Sequence, residues 1–180
     1  MTVEALRRRS PQNLADLLDA HGREIQAVAF LILRDRAAAE DVTIETLLTA
    51  FEKGGAIRDD GAVRAWLLKV ATNKALGIRR TGMRLVDLSV AGDRPAPGDL
   101  AGEAASHVAL LAGVADLPSA IRAAVVLRYY SDLSVQEVAI ALGKSPNTIK
   151  AQLQTALDRL RRSLADPAVD AATSQEARHA

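Results

Sequence analysis

DLSVQEVAIALGKSPNTIKAQLQTALDRLRRSL, running from Asp132 to Leu164, reads as two helices joined by a tight turn, the second of them long and basic. Ser134 can cap the first helix. Glu137, three residues on, completes an S-x-x-E box in which hydroxyl and carboxylate each satisfy a backbone N–H that a helix start leaves bare. Val138, Ala139 and Leu142 give this helix its apolar face. Gly143 stops it, because the position past a helix end favours a left-handed backbone. Ser145 caps the second helix, and Pro146 takes its first position, where a missing N–H costs nothing. Ile149, Leu153, Ala156, Leu157, Leu160 and Leu164 then make one stripe at helical spacing. Asn147, Lys150, Ala151 and Gln154 face the other way. A short helix, a glycine turn and a second helix with a polar leading face form a helix-turn-helix, whose second helix enters the DNA major groove. An ordinary helical hairpin is the alternative that this pattern by itself leaves standing.

Outward from this stretch, the bulk composition narrows the class. The 180 residues have room for one ordinary domain or two small ones. Lys and Arg total 23 against 22 Asp and Glu, so net charge is +1 and local distribution carries the electrostatic argument. With no Cys, disulfides and thiolate metal sites are excluded, which fits a reducing cytoplasm. The three histidines, His21, His107 and His179, lack ligand spacing, so no metal is expected. The run Ala27–Leu33 is too short to span a bilayer, and MTVEALRRRS at the N-terminus has no apolar core of a signal peptide. Residues are 49% hydrophobic, chiefly Ala, Leu and Val, and 3% aromatic, a balance that favours helices over sheets.

The order along the chain is helical throughout. Ser10-Pro11 starts a first helix to about Leu33; a second runs from about Arg36 to Lys53 and stops at Gly54-Gly55; a third spans about Ala62 to Arg80. Between Gly61 and Arg84 stand Arg64, Lys69, Lys74, Arg79, Arg80 and Arg84 with no acidic residue. Leu85–Glu103 then carries Pro95, Pro97 and several glycines with Asp87, Asp93, Asp99 and Glu103, a flexible acidic linker. A weakly amphipathic helix over Ala104–Ala115 follows, and Leu117-Pro118-Ser119 restarts the chain into a helix ending near Tyr130. The tail Asp166–Ala180 is small and polar. The expected fold is all-α: two small helical domains joined by a flexible acidic linker, the C-terminal one a helix-turn-helix.

Leu117–Leu164 resembles the C-terminal domain of bacterial RNA polymerase sigma factors of the extracytoplasmic-function (ECF) class, through its leading Leu-Pro, its LRYYSDLS corner and the T-I-K start of the recognition helix. The N-terminal half adds to the likeness: Ala39-Glu40-Asp41 with Glu45-Thr46 is similar to the family's core-polymerase-binding helix, and Ala65-Trp66-Leu67 with Ala71-Thr72-Asn73 to its promoter-melting helix. The resemblance implies a sigma-2-like domain over residues 1–84, a linker over 85–103, a sigma-4-like helix-turn-helix domain over 104–165 and a flexible tail over 166–180. It implies a promoter-specificity subunit that binds core polymerase, opens the −10 element and reads the −35 element. Core enzyme and promoter DNA are then the partners, an anti-sigma factor is a further expected one, and the location is cytoplasmic without membrane insertion. Ile44 stands where the family usually has Gln, and Gln152 and Thr155 where basic residues are common, which implies fewer phosphate contacts at −35.

The site residues follow from both lines. Lys150, Ala151 and Gln154 lie away from the apolar stripe and match the family's base-reading positions; Lys suits guanine O6/N7 and Gln suits adenine N6/N7. A solvated helix face is the alternative reading. Asn147 and Thr148 sit at a helix N-terminus, where N–H groups favour a phosphate or simply a cap. Trp66 belongs to an apolar face with Val63, Leu67 and Val70 and could support a melted strand. Lys69, Arg79 and Arg80 supply charge on the same helix, and the family places Asn73 close to the −10 non-template strand. The loop Ala56–Gly61, with Ile57 and Arg58, matches the family's loop that captures a flipped base. Asp35, Glu40, Asp41 and Glu45 band the second helix and, with Ile44, match the polymerase-binding surface. No nucleophile–base pair, phosphate loop or paired carboxylates stand out, so no catalysis and no cofactor are expected. A stand-alone dimeric regulator and a helical interaction protein are the rival readings.

Overall fold

The computed structural model describes residues 11–54, 57, 59, 61–85 and 103–165. Most of the expected linker, the C-terminal tail and Arg58 lie outside the described residues. Regular structure among the described residues is helical throughout.

α1 (Pro11–Leu17), a π-helical turn (Leu18–Gly22) and α2 (Arg23–Leu33) follow one another without a break, where a single α-helix was expected. The wide turn depends on Gly22: a Cβ there would lie 2.6 Å from Leu18 Cδ1. α2 ends at Arg34, whose φ of 62° is left-handed and whose N–H reaches Phe30 O. A side chain in that conformation costs about 1–2 kcal/mol. Asp35 then turns extended and its carboxylate accepts from Ala38 N–H at 3.0 Å, which starts α3 (Arg36–Lys53). α4 (Ala62–Leu85) continues past Arg80, the expected end. Gly82 alone stands in its way, and an isolated glycine weakens a helix by about 1 kcal/mol without stopping it.

The apolar faces of these helices converge. Leu17, Ile25, Val28 and Ile32 meet Val42 and Leu47 of α3 and Val63, Leu67, Leu68 and Ala71 of α4, all buried. α2 packs against both α3 and α4. Each such Val, Leu or Ile contributes about 1.5–3 kcal/mol by leaving water.

The second half comprises α5 (Glu103–Ala115), α6 (Ser119–Val125), a second π-helical turn (Val126–Tyr130), α7 (Val135–Leu142) and α8 (Pro146–Ala165). The reciprocal capping box is present: Glu137 N–H donates to Ser134 Oγ at 3.2 Å and Ser134 N–H to Glu137 Oε2 at 2.8 Å. Gly143 takes φ 62°, the left-handed C-cap that the sequence requires. Ser145 Oγ accepts from Thr148 N–H at 3.1 Å and so caps α8. Ile149, Leu153, Ala156 and Leu160 of the stripe are buried, whereas Leu164 at its end is exposed. α8 rests on α5, α6 and α7.

The two halves touch. α4 packs against α7 and α6, and α2 against α6 and the second π turn. Arg122, 3% exposed, is the buried charge at this junction. Its guanidinium donates to Ala115 O, to Leu117 O at 2.9 Å and, across the junction, to Ile32 O at 2.9 Å. Ile32 lies in the last turn of α2, whose carbonyls have no partner within the helix, so Arg122 caps a helix of the other half. Burial pushes this guanidinium down to about 10, still charged at neutral pH.

Candidate nucleic-acid interface

α8 presents its polar face openly. Asn147, Thr148, Lys150, Ala151 and Gln154 are all exposed, together with Thr155. The spacing places Lys150, Ala151 and Gln154 on one face because the opposite face is fixed by burial of Ile149, Leu153 and Ala156. Thr148 Oγ1 shares a hydrogen bond with Ser145 Oγ at 2.8 Å, so part of its polar capacity serves the cap. Gln154 Nε2 donates to Asp158 Oδ1 at 3.1 Å, which leaves its Oε1 turned outward as an acceptor. Arg161 is tied to the same carboxylate oxygen at 3.2 Å. Gln152 is half-buried, and its Oε1 is buried without a hydrogen-bond partner.

α4 is basic but otherwise engaged. Trp66, Lys69 and Arg79 are half-buried and Arg80 is exposed. By helical spacing Trp66, Lys69, Asn73 and Arg80 share one face. Asn73 keeps an exposed edge, while its amide N–H points at Ala141 O of α7 at 3.4 Å. Arg64 binds Glu24 of α2 through both terminal groups and donates to Ser131 O of the second half at 2.7 Å. Thr72, in the sector between Arg64 and Asn73, is fully buried. Ile57 is 8% exposed and belongs to the core, so its backbone rather than its side chain is what that loop offers to a base.

The acidic band on α3 divides by role. Asp35 is the helix cap. Glu40 accepts from Arg36 and Gln26, each at 3.4 Å, and Glu45 accepts from Lys74 of α4 at 2.8 Å. Asp41 is exposed. Ile44 is 58% exposed, and Leu48, one turn on, is 47% exposed. Leu48 was not singled out from the sequence; its i,i+4 spacing from Ile44 was the available signal. The pair forms an apolar spot ringed by carboxylates. Arg64 was likewise counted only among the basic residues of α4, and nothing local marks it as a junction residue.

Residues 17–84 match Sigma-70 region 2, and residues 107–160 match Sigma-70, region 4. The chain is 31% identical over 154 residues to the ECF RNA polymerase sigma factor SigL of Mycobacterium tuberculosis, a match covering 82% of this chain and 86% of SigL. In structure it is similar to the sigma factor RpoE of Bartonella quintana, solved in complex with the anti-sigma factor NepR, with a TM-score of 0.66 at 23% identity over 85% of this chain and 97% of RpoE. It is also similar to CnrH, solved in complex with the cytosolic domain of CnrY, with a TM-score of 0.65 at 19% identity over 90% of this chain and 96% of CnrH. At these identities the solved structures speak for the fold.

Proposed function

The chain belongs to the ECF RNA polymerase sigma factors, promoter-recognising subunits of RNA polymerase, and we propose a division of labour between its halves. Residues 1–84 form the unit that binds core enzyme and opens the −10 element. Residues 104–165 form the unit that reads the −35 element, with 85–103 as the tether and 166–180 as a tail. The observation that carries this is the open polar face of α8, backed by a buried stripe and set one glycine turn after a capped helix.

In this reading Lys150 and Gln154 contact base edges, Ala151 lets the helix approach closely, and Asn147 and Thr148 meet phosphate at the helix N-terminus. Trp66, Lys69, Asn73, Arg79 and Arg80 follow the −10 strand, with the 57–58 loop beside them. Asp35, Glu40, Asp41, Ile44 and Glu45, joined by Leu48, meet the polymerase; the apolar pair supplies buried area and the carboxylates supply orientation. The chain acts as a non-catalytic subunit in the cytoplasm. No helix among the described residues is long and apolar enough to cross a membrane, which agrees with that location. An anti-sigma factor is a further partner, by analogy with RpoE and CnrH, each solved with one.

The test is run-off transcription with purified core enzyme on genomic fragments, with Asn73→Ala beside the wild type. Asn73→Ala leaves core binding intact and lowers open-complex formation, read by permanganate reactivity of −10 thymines. Normal reactivity in the variant would make Asn73 structural.

A further inference from the structure

We infer that the second half acts as a one-sided cover: α7 latches over the promoter-melting helix α4 and leaves the −35 reading face of α8 free. This rests on the division of labour proposed above.

The bonds across the junction share one chemistry. Arg64 donates to Ser131 O at 2.7 Å, Asn73 to Ala141 O at 3.4 Å, and Arg122 to Ile32 O at 2.9 Å. Every acceptor is a backbone carbonyl at the end of a helix or π turn, where the chain has carbonyls to spare. Every donor is a charged or amide side chain of the opposite half. The junction therefore uses acceptors present in any fold of these helices, and it consumes the amide of Asn73, the residue assigned to the −10 strand.

The coverage is unequal. Thr72 is 0% exposed, and Ala65 and Leu76 are packed against the core; these share the sector of α4 bounded by Arg64 and Asn73. A strand laid along this helix would meet α7 first. On α8 the residues Asn147, Lys150, Ala151, Gln154 and Thr155 all remain exposed while the junction is closed. The closed chain can therefore bind a −35 duplex yet cannot engage an opened −10 strand. Core polymerase, by binding α3, would favour the open arrangement in which α4 is bare. The apparent affinity for the −10 strand is divided by the open fraction, so freeing the latch raises that affinity alone.

The experiment uses the full chain. Because the protein has no Cys, Ala15→Cys and Ala109→Cys, both at exposed positions, create the sole labelling sites for a distance measurement by energy transfer. Arg64→Ala and Arg122→Lys each remove a junction bond from a different half, and circular dichroism checks that each keeps its helix content. The probes are a −35 duplex and a −10 non-template oligonucleotide from a promoter recovered by run-off transcription. Wild type should show high transfer, measurable duplex binding and weak oligonucleotide binding. The variants should show lower transfer and about tenfold tighter oligonucleotide binding, with duplex binding changed less than about twofold. Should Arg122→Lys fail to fold, Arg64→Ala decides. Wild type with low transfer, opening without oligonucleotide gain, or an equal gain for both probes overturns the inference. A holoenzyme that fails to open the same promoter would instead overturn the underlying assignment of α4.

Discussion

α4 and α8 are the two basic helices of this protein, and their surroundings differ. α8 touches its own half along one stripe and leaves its polar face to solvent. α4 is held by α2 and α3 on its own side and by α7 from the other half, with Arg64 and Lys74 both ion-paired. Similar charge thus comes with dissimilar availability. A count of lysines and arginines locates both candidate DNA helices but does not say which one is free to act, because availability is set by packing between residues far apart in sequence.

The contrast breaks most completely at Ile149, fully buried under the reading face. Ile149→Ala should cost about 2–5 kcal/mol of stability through lost transfer energy and the cavity left behind. Denaturant titration measures it. Since α7 rides on α8, the same variant should also uncover α4, so −35 binding falls while exposure of α4 to hydrogen exchange rises. Protection of α4 that survives the loss of α8 would show that α7 is not its cover.

Lys150→Ala sharpens the comparison from the open side. It should weaken −35 duplex binding by about 1–3 kcal/mol and leave folding unchanged, because the residue is exposed and makes no packing contact that its loss would empty. Binding isotherms at several salt concentrations report it; unchanged isotherms would remove Lys150 from the base-reading set.

Ser134→Ala should cost about 1 kcal/mol by removing half of the capping box at the start of α7. The effect depends on pH in a defined sense. The Ser134 hydroxyl, then its backbone N–H, hold the Glu137 carboxyl below its ordinary 4.5. A depressed carboxylate stabilises the fold fully above 4.5 and loses that contribution as pH falls through its lowered value. Urea midpoints of wild type and variant should therefore differ at neutral pH and converge below about pH 4.

The smallest effect belongs to the first half. Burial lowers His21 below its ordinary 6.5, so the folded protein prefers the neutral ring. The unfolded chain takes up a proton first as pH drops through 6.5, and stability declines over that range. His21→Gln should flatten the decline between pH 7 and about 5, measured by thermal unfolding. The two halves thus lose stability in different pH windows.

Local signals were legible and distant ones were not. Ser134, Glu137, Gly143, Ser145 and Pro146 act over one turn each, and each adopts in the structure the backbone role its chemistry demands. Both π turns escaped, since what widens the helix at Leu18–Gly22 is the fit of a leucine over a glycine, not a stop signal. The end of α4 was placed early because Gly82 is a weak punctuation mark. At the candidate site, the exposed face of α8 followed from its periodicity. The engagement of Arg64 with Ser131 spans 67 residues, and nothing in either neighbourhood announces it. Ile57 was read as a surface residue because its loop was read as a surface loop; its side chain instead completes the core.

Arg122 has one more consequence, and it concerns ionic strength. The guanidinium crosses the junction to a carbonyl, not to a carboxylate, and it does so out of contact with water. Dissolved ions screen exposed pairs of opposite charge far more than a buried dipolar contact of this kind. Protein–DNA contacts weaken steeply with salt, because each neutralised phosphate must recapture its counterion. Salt therefore pulls on one side of the competition: it loosens nucleic acid from the basic helices and leaves the clasp between the halves nearly untouched. A cell whose internal salt rises would shift this protein toward its folded-over form without any dedicated sensor.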